Sequence, residues 1–281
     1  MRAVCRLLLA ASLLTSCALA HATDEADLVV LINAYRAAPR ECDGRREPMA
    51  SPLAPSPALA AVDPGSGGRL GEALLRSGYR AAAATTVLFS GAGNATEIAR
   101  LIEARYCRVL LDPGYSQIGV ARKGDSWRIN FARPLLAEGP GDWRDAGKTI
   151  LRLVNAARSR PRACGEEHFA AAVPLAWNEA LADAALAHSR DMAAKDYFSH
   201  VDATGSGVAQ RATRAGYRWR HVGENIAAGT GSPEQVVAGW LASPGHCANM
   251  MAPDFDDMGA AFAANPGSKL DIYWTQTFGQ R

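Results

Sequence analysis

Two long stretches of this 281-residue chain carry the same residue pattern, and this repetition limits its folds more than any other feature. Leu31-Ile32-Asn33-Ala34-Tyr35-Arg36 returns as Leu153-Val154-Asn155-Ala156-Ala157-Arg158, at an offset of 122. The same offset carries Pro39-Arg40 to Pro161-Arg162, Cys42 to Cys164, and Ala58-Leu59-Ala60 to Ala180-Leu181-Ala182. Further along, Arg76-Ser77-Gly78-Tyr79-Arg80 pairs with Arg214-Ala215-Gly216-Tyr217-Arg218 at an offset of 138, and Cys107, Pro113 and Gly119 pair with Cys247, Pro253 and Gly259 at 140. Units this long are the size of compact domains, not the short units of a solenoid. The pattern predicts a tandem duplication: one domain over 24–137, a linker over 138–146 containing Gly139-Pro140-Gly141, and a second domain over 147–281.

The N-terminus reads as a targeting segment. Arg2 and Arg6 precede an apolar run from Leu7 to Leu14, and Ala18-Leu19-Ala20 has small residues at the spacing of a cleavage site, so residues 1–20 are expected to be a signal peptide. The alternative is a lipid anchor on Cys17, since Leu14-Thr15-Ser16-Cys17 resembles a bacterial lipobox. Either reading sends the chain out of the cytoplasm, to a secreted, periplasmic or envelope-associated location where disulfides persist. Beyond Cys5 and Cys17 the chain has Cys42, Cys107, Cys164 and Cys247. Each repeat holds one early and one late cysteine, which predicts the bridges Cys42–Cys107 and Cys164–Cys247. Thirty basic against 28 acidic residues leave a net charge of only +2, which argues against a nucleic-acid partner. No later stretch is long and apolar enough to predict a transmembrane span.

In the second repeat, helical spacing and caps predict helices over 148–158, 178–195 and 206–215, with a fourth opening at Ser232-Pro233. Asn178 is the expected cap of the second helix, and Leu181, Ala184, Ala185, His188 and Met192 its buried stripe. Strands are expected over 258–263 and 270–278, joined by the Asn265-Pro266-Gly267 turn. Helices followed by a hairpin predict an α+β fold.

The chemistry is concentrated in this repeat. His200, Glu224 and His246 have no counterparts in the first: the change of offset removes about 16 residues where His200 would fall, while Glu224 maps to Thr86 and His246 to Tyr106. Cysteine, proline, glycine and apolar positions survive in both repeats. Loss of these polar groups with retention of the framework marks the three as a candidate site. Imidazoles and a carboxylate suit Zn²⁺ or another divalent cation, and equally suit proton transfer near neutral pH. His188 is expected in the core, and His168 and His221 in solvent. Asp254, Asp256 and Asp257 lack the glycine and terminal glutamate of an EF-hand loop and are expected to cap helices.

The string His200, Gly223-Glu224-Asn225-Ile226, Trp240, Ser243-Pro244-Gly245-His246 and Tyr273-Trp274-Thr275-Gln276 resembles the CAP superfamily, which groups cysteine-rich secretory proteins, antigen 5 and pathogenesis-related proteins. The resemblance implies an α-β-α sandwich, intact in the second repeat and degenerate in the first. It implies a cavity of two histidines and two acids, matched here by His200, Glu224 and His246, with Ser243 standing where the second acid is expected. Relatives are associated with divalent ions, with sterol and lipid binding, and in a few cases with proteolysis. The expected function is therefore a binding module holding a small molecule or a divalent ion through His200, Glu224, His246 and Ser243, with His200 and His246 as the metal ligands and any lipid contacts elsewhere on the protein. A hydrolase using the same residues is one alternative, and a structural or interaction protein of the cell envelope is another.

Overall fold

A computed structural model describes residues 23–65, 67–91, 93–134 and 141–281. The expected signal peptide, cleavage site and Cys17 anchor, with residues 138–140 of the expected linker, lie outside these residues.

The first half contains α1 (Asp24–Arg36), β1 (Arg40–Cys42), β2 (Arg45–Glu47), β3 (Ala54–Pro55), α2 (Pro57–Ala60), α3 (Leu70–Ser77), β4 (Ala81–Ser90), α4 (Ala95–Leu111), β5 (Gln117–Lys123) and β6 (Ser126–Pro134). The second contains α5 (Trp143–Arg158), β7 (Arg162–Cys164), β8 (Glu167–Phe169), β9 (Ala176–Trp177), α6 (Glu179–Lys195), α7 (Val208–Arg214), β10 (His221–Ala228), α8 (Pro233–Leu241), α9 (Pro244–Met251), β11 (Asp257–Ala264) and β12 (Ile272–Gln280). The main sheets have the orders β3-β5-β6-β4 and β10-β12-β11-β9, which are one order read in opposite directions. Both bridges, Cys42–Cys107 and Cys164–Cys247, are formed.

The residues repeated in the sequence do the same work in each half. Asn155 exchanges two hydrogen bonds with the backbone of Leu175, at 3.0 and 2.8 Å, and Asn33 does so with Leu53 at the same distances. The buried guanidinium of Arg158 donates to the carbonyls of Val173, Met250, Ala252 and Phe255. That of Arg36 donates to the carbonyls of Ser51, Leu110, Asp112 and Tyr115. Such a cation can be buried because each of its three guanidinium nitrogens donates to a backbone carbonyl.

Strand alternation builds the second half into a sandwich. Met258, Ala260 and Phe262 of β11, with Trp274 and Phe278 of β12, pack with Ile150 and Val154 of α5 and Val236 and Trp240 of α8. The opposite face meets α6: Ala261 packs on Ala185 and Leu186, and Ser189 Oγ donates to the Ala261 carbonyl at 3.2 Å. Both cores are closed by bulky side chains, Trp240 and Trp274 in the second half, Trp127 and Phe131 in the first. The first half keeps only a thin layer on its corresponding face, because α2 has 4 residues where α6 has 17.

Several boundaries differ from the sequence expectation. α5 starts at Trp143 rather than 148, since the Asp142 carboxylate caps the amides of Arg144 and Asp145; the end of the expected linker is helix. α7 is shorter than expected, starting at Val208. Asp257 caps no helix: it opens β11, accepts from Tyr217 Oη at 3.0 Å and pairs with Arg281. α6 has Asn178 as its cap and the expected buried stripe, His188 included.

Candidate functional site

β10 is the edge of the second sheet, and the two helical layers end beside it. His200 lies on the loop after α6, Glu224 on β10, and His246 in the first turn of α9. Their side chains line one cavity of about 320 Å³, together with Phe198, Gly245 and Asn249. Ala37, Met49, Ala50 and Pro52 of the first half close its other side.

Glu224 is the hub. One carboxylate oxygen lies 2.8 Å from His200 Nδ1 and the other 2.6 Å from the Arg211 guanidinium. A carboxylate accepts only, so Nδ1 of His200 is the donor in this bond. Arg211 also donates to the carbonyls of His200 and Ser206, tying α7 to the loop that presents the imidazole. The Glu224 and Arg211 side chains are 3% and 5% exposed, so their charges face each other away from water. His188 is buried behind them, its Nε2 2.9 Å from the Ser199 carbonyl and 3.9 Å from Glu224. Burial lowers the His188 pKa and keeps the ring neutral, with its other nitrogen unpartnered.

His246 is fixed from its own helix end. Its Nδ1 lies 2.8 Å from Ser243 Oγ. Burial, and after it the neighbouring His200, push the His246 pKa down to about 3. The ring is therefore neutral through the physiological range, the state that coordinates or hydrogen-bonds. Behind the cavity, Asn225 donates to the His246 carbonyl and to Gln276, while Asn249 donates to the Glu224 carbonyl and to Asn225. This network locks β10 to α9 and so sets the spacing of Glu224 and His246.

The structure thus brings three of the four expected site residues to one cavity. Ser243 is fully buried and does not line it; its hydroxyl serves His246 instead. No three His, Cys, Asp or Glu side chains converge as a metal-holding group among the described residues. The carboxylate expected to complete such a set is engaged by Arg211 and His200, and the two imidazoles alone fall short of the three protein ligands usual for a catalytic zinc. Arg211 was not foreseen. Its signal, a basic residue on a short helix just before the Gly-Glu-Asn segment, has no meaning until the chain is folded. α9 was also missed, although Ser243-Pro244 repeats the cap-and-proline start that identified α8.

Residues 151–278 match the model of the Cysteine-rich secretory protein family, CAP. The uncharacterized protein YkwD of Bacillus subtilis is 34% identical over 131 residues, 47% of this chain and 46% of that protein. The uncharacterized membrane protein YlbC of the same organism is 31% identical over 134 residues, 48% of this chain and 34% of that protein. The chain spans less than half the length of these curated relatives. A solved extracellular protein with an SCP domain from Bacillus anthracis superposes with a TM-score of 0.42 at 22% identity, over 59% of this chain and 63% of its own.

Proposed function

We propose, from the premise that residues 151–278 are a CAP domain, that this chain is an exported binding protein whose cleft beside β10 holds a small molecule. One observation carries the proposal: two imidazoles from different elements line a single cavity, each anchored through Nδ1, on Glu224 and on Ser243. Each ring keeps Nε2 for a ligand, in a geometry set before the ligand arrives. The charge of Glu224 is answered by Arg211, and His246 is neutral, so the cleft favours a ligand with hydrogen-bonding groups and little net charge. A volume of about 320 Å³ lies at the small end of ligand pockets.

Export is supported by the two disulfides and by the expected leader. Among the described residues no helix is long and apolar enough to cross a membrane. The matching sheet orders and shared Asn and Arg anchors support descent of the halves from one duplicated domain, the first having lost the site.

Saturation-transfer NMR of a small-fragment set against the full oxidised chain tests the binding reading. Fragments that bind the wild type are expected to lose contact in both His200→Ala and His246→Ala. An unchanged set of binders in both variants would overturn it. A divalent ion, the other ligand of the expectation, would rest on the two free Nε2 atoms. Calorimetric titration with Zn²⁺ separates it: heats that are equal in wild type and both variants would discard ion binding at this cleft.

A hydrolytic reading is favoured by the Glu224–His200 pair, in which the carboxylate orients an imidazole whose Nε2 can take a proton from water. Ser243 is too buried to serve as nucleophile, while Ser199 Oγ accepts the Val201 amide at 3.0 Å. Peptidase and peptidoglycan assays in which wild type and Glu224→Gln behave alike would remove this reading.

A further inference from the structure

The cavity draws its walls from both halves: the second supplies the polar groups and the ring of Phe198, the first apolar groups alone. Every polar side chain that lines it (His200, Glu224, His246, Asn249) belongs to the second half. The first half contributes Ala37, Met49, Ala50 and Pro52, all apolar. We propose that the first half completes the site as a specificity wall, restricting it to small amphipathic molecules: a hydrogen-bonding head against the two imidazoles, a short hydrocarbon part against Met49 and Pro52. The inference rests on the cleft being a small-molecule site and adds the ligand class and the residues that set its size.

An internal control shows that this wall is specific to the first half. At the offset of 122, Met49-Ala50-Ser51-Pro52 corresponds to Ala171-Ala172-Val173-Pro174. In the second half this segment is largely open to solvent, Val173 being 78% exposed. In the first, Ala50, Ser51 and Pro52 are buried and Met49 is half-buried. The backbone anchor is the same in both: the amides of Ala50 and Ala172 donate to the carbonyls of Arg36 and Arg158. What differs is the covering, which comes from the other half of the chain.

The wall is also held in place. Ser51 Oγ accepts the amide of Ala228, an outward-facing donor of the edge strand β10, at 3.0 Å. Satisfying that donor removes a pairing site that an exposed edge would leave open. Asn33 Nδ2 reaches the Ala242 carbonyl between α8 and α9 at 3.2 Å. A Cβ on Gly239 would come within 3.4 Å of the Pro52 carbonyl, so α8 approaches the segment at a position with no side chain. Met49 packs against the apolar cluster that contains Met192, Ile226, Ala228 and Tyr273. The segment is thus positioned by bonds to the same strand that carries Glu224.

The experiment is a titration of the full oxidised chain with straight-chain 1-alkanols from butanol to dodecanol, followed by calorimetry. Affinity is expected to rise about fourfold per methylene, the equivalent of ~0.8 kcal/mol per buried CH₂, until the chain fills the cavity, and then to stop rising. Met49→Ala is expected to move that cut-off to longer alkanols. Met49→Trp and Ala37→Phe are expected to move it to shorter ones; Ala37 is exposed, so its variant tests the wall without touching a packed core. His200→Ala and His246→Ala are expected to weaken all alkanols by a similar factor and leave the cut-off in place. A cut-off identical in the wild type and all three wall variants would overturn the wall and spare the cleft. Alkanol binding that is absent, or indifferent to both histidines, would overturn the cleft reading and the wall with it.

Discussion

The carboxylate of Glu224 and the guanidinium of Arg211 sit 2.6 Å apart with almost no access to water. Neither charge tolerates loss of the other, because the survivor is left buried and unpaired. Glu224→Gln is expected to lower folding stability by about 3–5 kcal/mol, measured by urea denaturation, and adding Arg211→Met should recover part of that loss. Equal stability of Glu224→Gln and wild type would remove the ion pair from the account. His246 sets a pH dependence. Its folded pKa of about 3 lies below the ordinary 6.5, so between these values the unfolded chain binds a proton that the folded chain refuses. Stability therefore falls as pH is lowered through that window. The thermal midpoint of wild type should drop more between pH 6.5 and 4 than that of His246→Gln; parallel curves would contradict a ring held neutral in the fold. Of the residues in this cluster, His200, Glu224 and His246 were legible because the first repeat lacks them while keeping its framework. Arg211 and the role of Ser243 were not, since an ion pair across 13 residues and a hydroxyl turned onto its own helix are properties of packing.

Helix starts were the most readable elements, because a cap is local chemistry: Asn178 and Ser232 accept the amides of Leu181 and Gln235 as their side chains require. Strand β10 was not readable. Its motif was seen as chemistry and not as a strand, because a glycine and three polar residues among its first five hide the alternation that marks β11 and β12. Its identity comes from pairing along its whole length with β12. The layering of helix on sheet depends on glycines that sequence alone flags only as repeated. A Cβ on Gly259 would fall 2.1 Å from the Ala182 amide nitrogen, and one on Gly119 would fall 2.2 Å from that of Ala60. Both are backbone clashes that no rotamer relieves. Gly259→Ala is expected to destabilise the chain by about 3 kcal/mol or more, with cap variants such as Asn178→Ala costing about 1 kcal/mol. A Gly259→Ala protein as stable as wild type in guanidinium titration would mean that α6 does not pack this closely on β11.

At the scale of the molecule, the repeated sequence foretold two similar sheets and the cysteine pairing, but not how the halves meet. That meeting is decided by Ser51, Asn33, Met49 and Pro52, whose roles depend on a surface supplied from far along the chain; the Ser51 and Asn33 bonds span 177 and 209 residues. The bridges close separations of 65 and 83 residues. Chain entropy assigns about 4–5 kcal/mol to loops of this size. Replacing Cys164 and Cys247 together by alanine should therefore lower the urea midpoint sharply, and an unchanged midpoint would deny the bridge a stabilising role. The account turns on His200 and His246 sharing one ligand, and imidazole ring NMR during a titration of the full oxidised chain with 1-octanol reads this directly. Ring signals of both histidines should move together with a single Kd while those of exposed His168 stay fixed. Movement of one ring without the other, or of neither, would contradict a shared cleft.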